Sequence, residues 1–313
     1  MSSGARQSLS YAKETTVGVT PTPFDRKTLP FTTTSIDAAT TKEDSATILD
    51  TRLAQQGSIT AVDYTGDIES ELRFGVFDDL IAAAAYSNWV TDSPTADSDT
   101  VSFGGDIRQT FSIVRGYDDI DNYHTFRGEH VNTWALTIPE SGIVTTTFGM
   151  IGLGRTPSDT VPAGTVTAPT PLPPTFSSVS VEDIKIDGVT QVGVACITAF
   201  DFTWDNTAQT QRCLGNGLDI GAIIATLANG TGSFTMAWSK NGALNYEKQF
   251  SNTTLAITVS LKDGLDNVYV LALPKVEITA TLPSGGNGDI LQATFEYRVV
   301  EEAPTLTRTP ATP

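Results

Sequence analysis

The residues Ile59-Thr60-Ala61-Val62-Asp63-Tyr64-Thr65 return near the middle of the chain as Ile197-Thr198-Ala199-Phe200-Asp201-Phe202-Thr203, and the pieces that follow each copy return in the same order. Asp118-Asp119-Ile120-Asp121-Asn122 recurs as Asp263-Gly264-Leu265-Asp266-Asn267, and Thr137-Ile138-Pro139-Glu140-Ser141-Gly142 as Thr281-Leu282-Pro283-Ser284-Gly285-Gly286. The register drifts only by loop-sized insertions. A repeat this long constrains the fold before any single residue does, and two copies are too few for a solenoid. The pattern predicts a tandem duplication: a pair of similar domains, or one pseudo-symmetric body.

A chain of 313 residues is long enough for two domains that each bury a core. Cys196 and Cys213 both fall in the second copy and read as two reduced thiols rather than a lone disulfide. No apolar stretch is long enough to cross a bilayer, and the N-terminus lacks the apolar core of a signal peptide, so no export and no membrane partner are expected. The formal charge is −17, with the larger share of the excess acid before Gly154. A surface this acidic cannot neutralise phosphates in number, which argues against conventional nucleic-acid binding. It suits a surface past which nucleic acid slides without sticking, and it also aids solubility.

Thr, Ser, Gly and Val are abundant, and turn signals punctuate runs of alternating apolar and polar residues, the mark of antiparallel β structure. The clearest strand begins at Ser58. Its even-numbered Val62, Tyr64, Ile68, Leu72 and Phe74 are apolar, and its odd-numbered Asp63, Asp67, Glu69, Glu71 and Arg73 are charged. A period of two puts these sets on opposite faces, one packed and one wet. In the second copy Phe200, Phe202 and Trp204 take the packed face, and Asp201, Asp205, Gln209 and Gln211 the other. Each copy is then expected to carry one short flanking helix: Phe77, Leu80, Ile81 and Ala84 follow helical spacing in the first, and Ile220, Ile223, Ile224 and Leu227 within 218–229 in the second. Later strands are predicted over 109–116, 123–138 and 143–151, with counterparts near 254–261, 268–282 and 290–300.

The expected organisation is an N-terminal arm (1–28), a first β domain (29–154), a Pro-rich extended linker (155–175), a second β domain (176–301) and a C-terminal tail (302–313). Residues 37–57 form a long charged excursion carrying Lys42, Glu43, Asp44, Asp50 and Arg52, of a length usually functional or disordered.

Catalysis finds no foothold. His124 and His130 would share a strand face, but no cysteine nearby completes a metal site. Asp118, Asp119, Asp121 and Glu129 imitate a calcium loop but fail at Ile120, where a ligand is needed, and at Tyr123, where the bend needs glycine, so the acids read as turn formers. There is no Walker loop, no dinucleotide fingerprint around Gly152 and Gly154, and no serine elbow. Neither a catalytic residue nor a cofactor is expected.

The opening from Lys13 to Pro21, the run from Leu29-Pro30 into Ser35, Thr51-Arg52, the strand over 62–74 and Phe77-Asp78-Asp79-Leu80-Ile81 resemble the tail tube (major tail) proteins of long-tailed bacteriophages, across most of 10–150 and, through the repeat, more weakly over 176–301. The resemblance implies a mainly β fold of two tandem tail-tube-like β-barrel or sandwich domains, each with its helix. In that family six such domains make a ring whose inner strands join, and rings stack by N-terminal arms and long loops. One chain carrying two domains implies pseudo-six-fold rings of three chains; a true hexamer with the second copy outside is the other arrangement.

The partners implied are the chain itself, a tape-measure protein and a tail terminator, with double-stranded DNA passing through the lumen without specific binding. The place implied is the virion tail, assembled in the host cytoplasm; the sequence leaves a contractile sheath open, with the duplication and the trailing segment leaning towards a bare, flexible tail. Asp63, Asp67, Glu69, Glu71, Asp201 and Asp205 are the candidates for an acidic lumen wall. Lys42, Glu43, Asp44, Asp50 and Arg52 are the candidates for ring stacking, together with the N-terminal arm. A tandem β-sandwich adhesin that binds through loops is the alternative from a different class.

Overall fold

A computed structural model describes residues 3–311 as a mainly β, sandwich-like fold with two short α-helices. Residues 1–2 of the expected arm and 312–313 of the expected tail lie outside the described residues. In the first half, Ser58–Glu71 lies between Asp37–Glu43 and Thr145–Gly152. The strand Asn122–Ile138 then serves two sheets. Its first part pairs with Phe111–Tyr117 and Gly154–Ser158, and its last part with Thr145–Gly152. The crossing point is Gly128, whose φ of +65° suits glycine and whose missing side chain leaves room for Leu153.

The same pairing order appears in the second half. Leu255–Lys262 lies beside Val268–Ala280, whose first part also takes Thr305–Thr309 and whose last part takes Gln292–Val299. Gln292–Val299 pairs with Asn229–Ala237, and that strand with Ile197–Asp205. By position in this order, Ile197–Asp205 corresponds to Asp37–Glu43, and Asn229–Ala237 to Ser58–Glu71. The letters had matched 197–203 to 59–65 instead. Adjacent antiparallel strands share one alternating pattern, so their letters are interchangeable where their pairing partners are not.

Helix Asp78–Ala85 forms where its stripe predicts, but it is buried on nearly every side rather than along one flank. Ala82–Ala85 are small enough for both halves of the molecule to close on it. The predicted helix over 218–229 is not present. That stretch holds the short strand Ala222–Ile224, paired with Gln209–Gln211, and the start of Asn229–Ala237. The helical spacing of its apolar residues does not mark one buried face: Ile220 and Ile223 are buried, while Ile224 and Leu227 are 43% and 85% exposed. The second helix is instead Lys240–Lys248, capped by Ser239, whose hydroxyl accepts from Gly242 N at 3.2 Å. It is polar, with Tyr246 against Trp238 as its main apolar contact, so no stripe announces it.

Two segments expected to be free are strands. Gln7–Lys13 lies between Arg26–Thr28 and Phe111–Tyr117, burying Leu9 and Tyr11. Thr305–Thr309 lies between Val268–Ala280 and Asp99–Ser102, which joins the chain end to the first half. The Pro-rich stretch is fastened along the first half: Arg73 Nη1 donates to Pro173 O at 2.5 Å, and Phe176 N to Leu72 O at 3.0 Å. Cys196 and Cys213 are free and exposed.

The halves meet in one sheet and one core. Residues 133–138 of Asn122–Ile138 pair with 200–205 of Ile197–Asp205 across six positions, from Phe200 opposite Ile138 to Asp205 opposite Thr133. Beneath this joint Phe103 stacks on Trp134 at 5.3 Å and meets Trp204 at 5.4 Å. The sheet does not close on itself. A barrel needs its first and last strands to pair, and here Asp37–Glu43 and the end of Val268–Ala280 do not meet within one chain.

Candidate assembly site

Cross-strand register aligns the acidic residues on one side of this joined sheet. Glu71 lies opposite Thr145, Thr145 opposite Thr137, Thr137 opposite Asp201, Asp201 opposite Ser233, Ser233 opposite Glu296, and Glu296 opposite Thr279. A parallel row runs from Asp67 through Gly149 and Thr133 to Asp205 and Asn229, with Glu69 and Thr203 between the two rows. The opposite side is the core, with Tyr64, Ile68, Phe148, Trp134, Phe202 and Phe295 buried. Period-two alternation thus carries one polar face across seven strands and both halves.

Asp67 is exposed on this face, and Glu69 and Asp201 are half-buried. Glu71 pairs with Arg73 at 2.9 Å. Asp205 accepts from Thr207 N at 2.7 Å and so also shapes a turn. Asp63 is set apart, because Arg212 covers it at 2.6 Å and also donates to Val62 O. Two acids missed in the sequence belong here, Glu277 and Glu296, each alternating with buried aromatic or aliphatic neighbours along its strand. Glu277 holds Arg298 at 2.8 Å. Around Asp201, Ser233, Glu277, Thr279, Glu296 and Arg298 the face dips into an open trough of 640 Å³.

Two strand edges at the margins of this sheet have no strand partner among the described residues. Asp37–Glu43 pairs only with Ser58–Glu71. Ala38 N turns outward and is capped by its neighbour's side chain, Asp37 Oδ1, at 2.7 Å. Beyond Val276, the last residues of Val268–Ala280 pair only with Gln292–Val299, and Ala280 N is capped by Gln249 Oε1 at 3.2 Å. These are the topological counterparts of the two edges joined at 133–138 and 200–205.

The excursion over 37–57 is a hairpin arm only at its start: 37–43 is a strand paired with Ser58–Glu71, and 44–57 is an irregular connection between the two. Lys42 and Glu43 end its first strand, and Asp44, Asp50 and Arg52 lie in the exposed tip. None of the five has an ion-pair partner among the described residues. Ile48 and Leu53 beside them are 97% and 80% exposed. The corresponding connection in the second half, 206–228, folds back onto the first half through Arg127 with Asp219 and through Ile220 N to Leu153 O at 2.9 Å.

The two histidines do not share a site. Gly128 breaks the period between them, leaving His124 beside Arg155 and Tyr117, and His130 buried with its ring on Gly128 O. Burial pushes the His130 pKa down. Among the described residues no group of three or more His, Cys, Asp or Glu is placed to hold a metal. Of the acids read as turn formers, Asp118, Asp119 and Asp121 lie in the turn before Asn122–Ile138, with Asp121 at a φ of +49°, but Asp118 accepts from Ser8 Oγ at 3.1 Å and Asp119 from Ser3 N at 2.7 Å, and Glu129 is buried within the strand. Their counterpart Asp263 does brace its turn, its Oδ1 accepting from Leu265 N at 2.8 Å and Asn267 N at 2.9 Å. No helix among the described residues is long and apolar enough to cross a membrane.

The sheet thus has one wet face, joined halves and two edges that lack a strand partner among the described residues, the margins at which a further strand can be added. The model of the phage tail tube protein family matches residues 4–299, and the chain belongs to that family. It is a structural component of the tail tube of a phage virion, a tube made by self-assembly. No curated protein matches the chain.

Proposed function

We propose that the chain polymerises into stacked rings that form the hollow tail tube of a long-tailed phage, the conduit through which DNA is ejected into the host. Each chain supplies two tube units, over 29–154 and 176–301, related by duplication, so three chains complete a pseudo-six-fold ring. The observation that carries this reading is the internal joint between 133–138 and 200–205. Its counterpart edges at Asp37–Glu43 and at the end of Val268–Ala280 have no strand partner among the described residues, the outward amides of Ala38 and Ala280 being capped by the side chains of Asp37 and Gln249, and pairing one edge with the other on the next chain repeats the joint with similar geometry. Exposed edges are a hazard on a monomer, and symmetric closure removes it while keeping the ring finite.

In this arrangement the polar face lines the lumen. Asp67, Glu69, Glu71, Asp201 and Asp205, with Glu277 and Glu296, present carboxylates to a passing duplex. Arg73 and Arg298 are each held by an acid, so few cations remain to bind phosphates and friction stays low. Asp63, covered by Arg212, stands at the margin of that wall. The hairpin carrying Lys42, Glu43, Asp44, Asp50 and Arg52 reaches between rings, and tape-measure and terminator proteins meet the tube inside and at its end.

Negative-stain micrographs of the purified chain test the reading. Filaments of uniform diameter with three chains per ring are expected. Six chains per ring would refute the trimer, and a monodisperse monomer would favour the adhesin-like alternative.

A further inference from the structure

Resting on the stacked-ring reading, we infer that the apolar hairpin tip around Ile48, Leu49 and Leu53 seats in a groove on the opposite rim of a second copy of this chain in the adjacent ring. The tip lies where Glu43 meets Ser58. From there Ser58–Glu71 runs roughly 43 Å, at about 3.3 Å per residue, to Glu71. Glu71 shares a row with Thr137 and Asp201, and Ile138 and Ile197 continue past that row. The groove is built there, between Val181, Ile184, Val192, Val194, Cys196 and Ile197, with a volume of 450 Å³. It continues past Ile138 to Glu140.

One chain therefore leaves an apolar projection bare at one rim and an apolar recess bare at the other. Val192 and Val194 are 57% and 55% exposed, and Leu49 is 51% exposed. The two features cannot meet within a molecule or within a flat ring, whereas head-to-tail stacking brings the two rims together. Charge agrees with this occupant: Arg52 in the tip and Glu140 at the groove each lack an ion-pair partner among the described residues. Burying the aliphatic side chains supplies the axial adhesion, and the Arg52–Glu140 pairing sets its register.

Cys196, exposed in the groove, provides the test. In filaments of Leu49→Cys in a Cys213→Ala background, mild oxidation should give a disulfide ladder running well beyond the number of chains in one ring. A ladder that stops at one ring's worth of chains, or none in filaments of normal diameter, would overturn the inference. The second arm is Val194→Asp, in which a carboxylate faces the incoming tip. Each axial contact should weaken more than about tenfold, leaving rings without filaments, and Val194→Ile should still polymerise. Normal filaments from Val194→Asp would overturn the groove assignment. Absence of filaments from the unmodified chain would instead reject the tube reading itself.

Discussion

Tyr269 donates its phenolic hydroxyl to Asp78 Oδ1 at 2.6 Å, tying the helix of the first half to a strand of the second. Arg308, near the chain end, reaches the other oxygen of Asp78 and also holds Asp99 at 2.7 Å. Removing only the hydroxyl, as Tyr269→Phe, leaves a buried carboxylate oxygen without its donor. The variant should lose about 1–3 kcal/mol, read as a lower midpoint in urea with an unchanged slope. An unchanged midpoint would show that the contact contributes nothing to joining the halves.

Glu129 is fully buried, and neither of its carboxylate oxygens has a hydrogen-bond partner among the described residues. Burial, reinforced by the nearby Glu14 charge, raises its pKa well above the usual carboxylate value. An acid whose folded pKa is raised is most favourable to folding below its unfolded pKa. Its contribution is lost as pH climbs from there through the folded value. Glu129→Gln removes that loss, so the thermal midpoint of the variant relative to the parent should be higher at pH 8 than at pH 4. A difference independent of pH would contradict the neutral, buried acid.

The outward-facing amides of Asp37–Glu43 follow the parity of Ala38, whose N–H turns away from Ser58–Glu71. Thr40 has that same parity. Proline is tolerated on an edge strand but cannot donate across a new joint. Thr40→Pro should therefore stay folded, within about 0.5 kcal/mol of the parent, yet fail to form rings in sedimentation. Rings of parental size would rule this edge out as the contact between chains.

Lysine in place of Asp67, Glu69 and Asp205 converts part of the polar face into a phosphate-binding surface. Tubes should still assemble, while DNA ejection slows and becomes more sensitive to salt. Ejection at the parental rate would place this face elsewhere than the lumen.

The later strands were legible because apolar alternation and the two Asp-Xaa-Xaa-Asp-Asn turns mark them. Expected spans such as 123–138 and 268–282 lie close to Asn122–Ile138 and Val268–Ala280. The helix at Asp78–Ala85 was legible from Leu80 and Ile81. Correspondence between the halves was not, since Ile-Thr-Ala followed by alternating Asp and aromatics describes any half-buried strand. Pairing is non-local, so nothing near Gln7–Lys13 or Thr305–Thr309 reveals that a partner lies about a hundred residues or more away for the former, or within both halves for the latter. Five acids of the face were found by parity on two strands. Glu277 and Glu296 were missed because register from distant strands, rather than their own neighbourhood, brings them into the same rows.

The joint at 133–138 and 200–205 also bears on how a tube begins. Bringing separate molecules together forfeits translational and rotational freedom, on the order of 4–15 kcal/mol for each encounter. A seam formed inside one polypeptide escapes that loss. With alternate seams prefabricated in this way, a first ring needs fewer simultaneous collisions, and nucleation depends less steeply on subunit concentration than it would for unlinked single units.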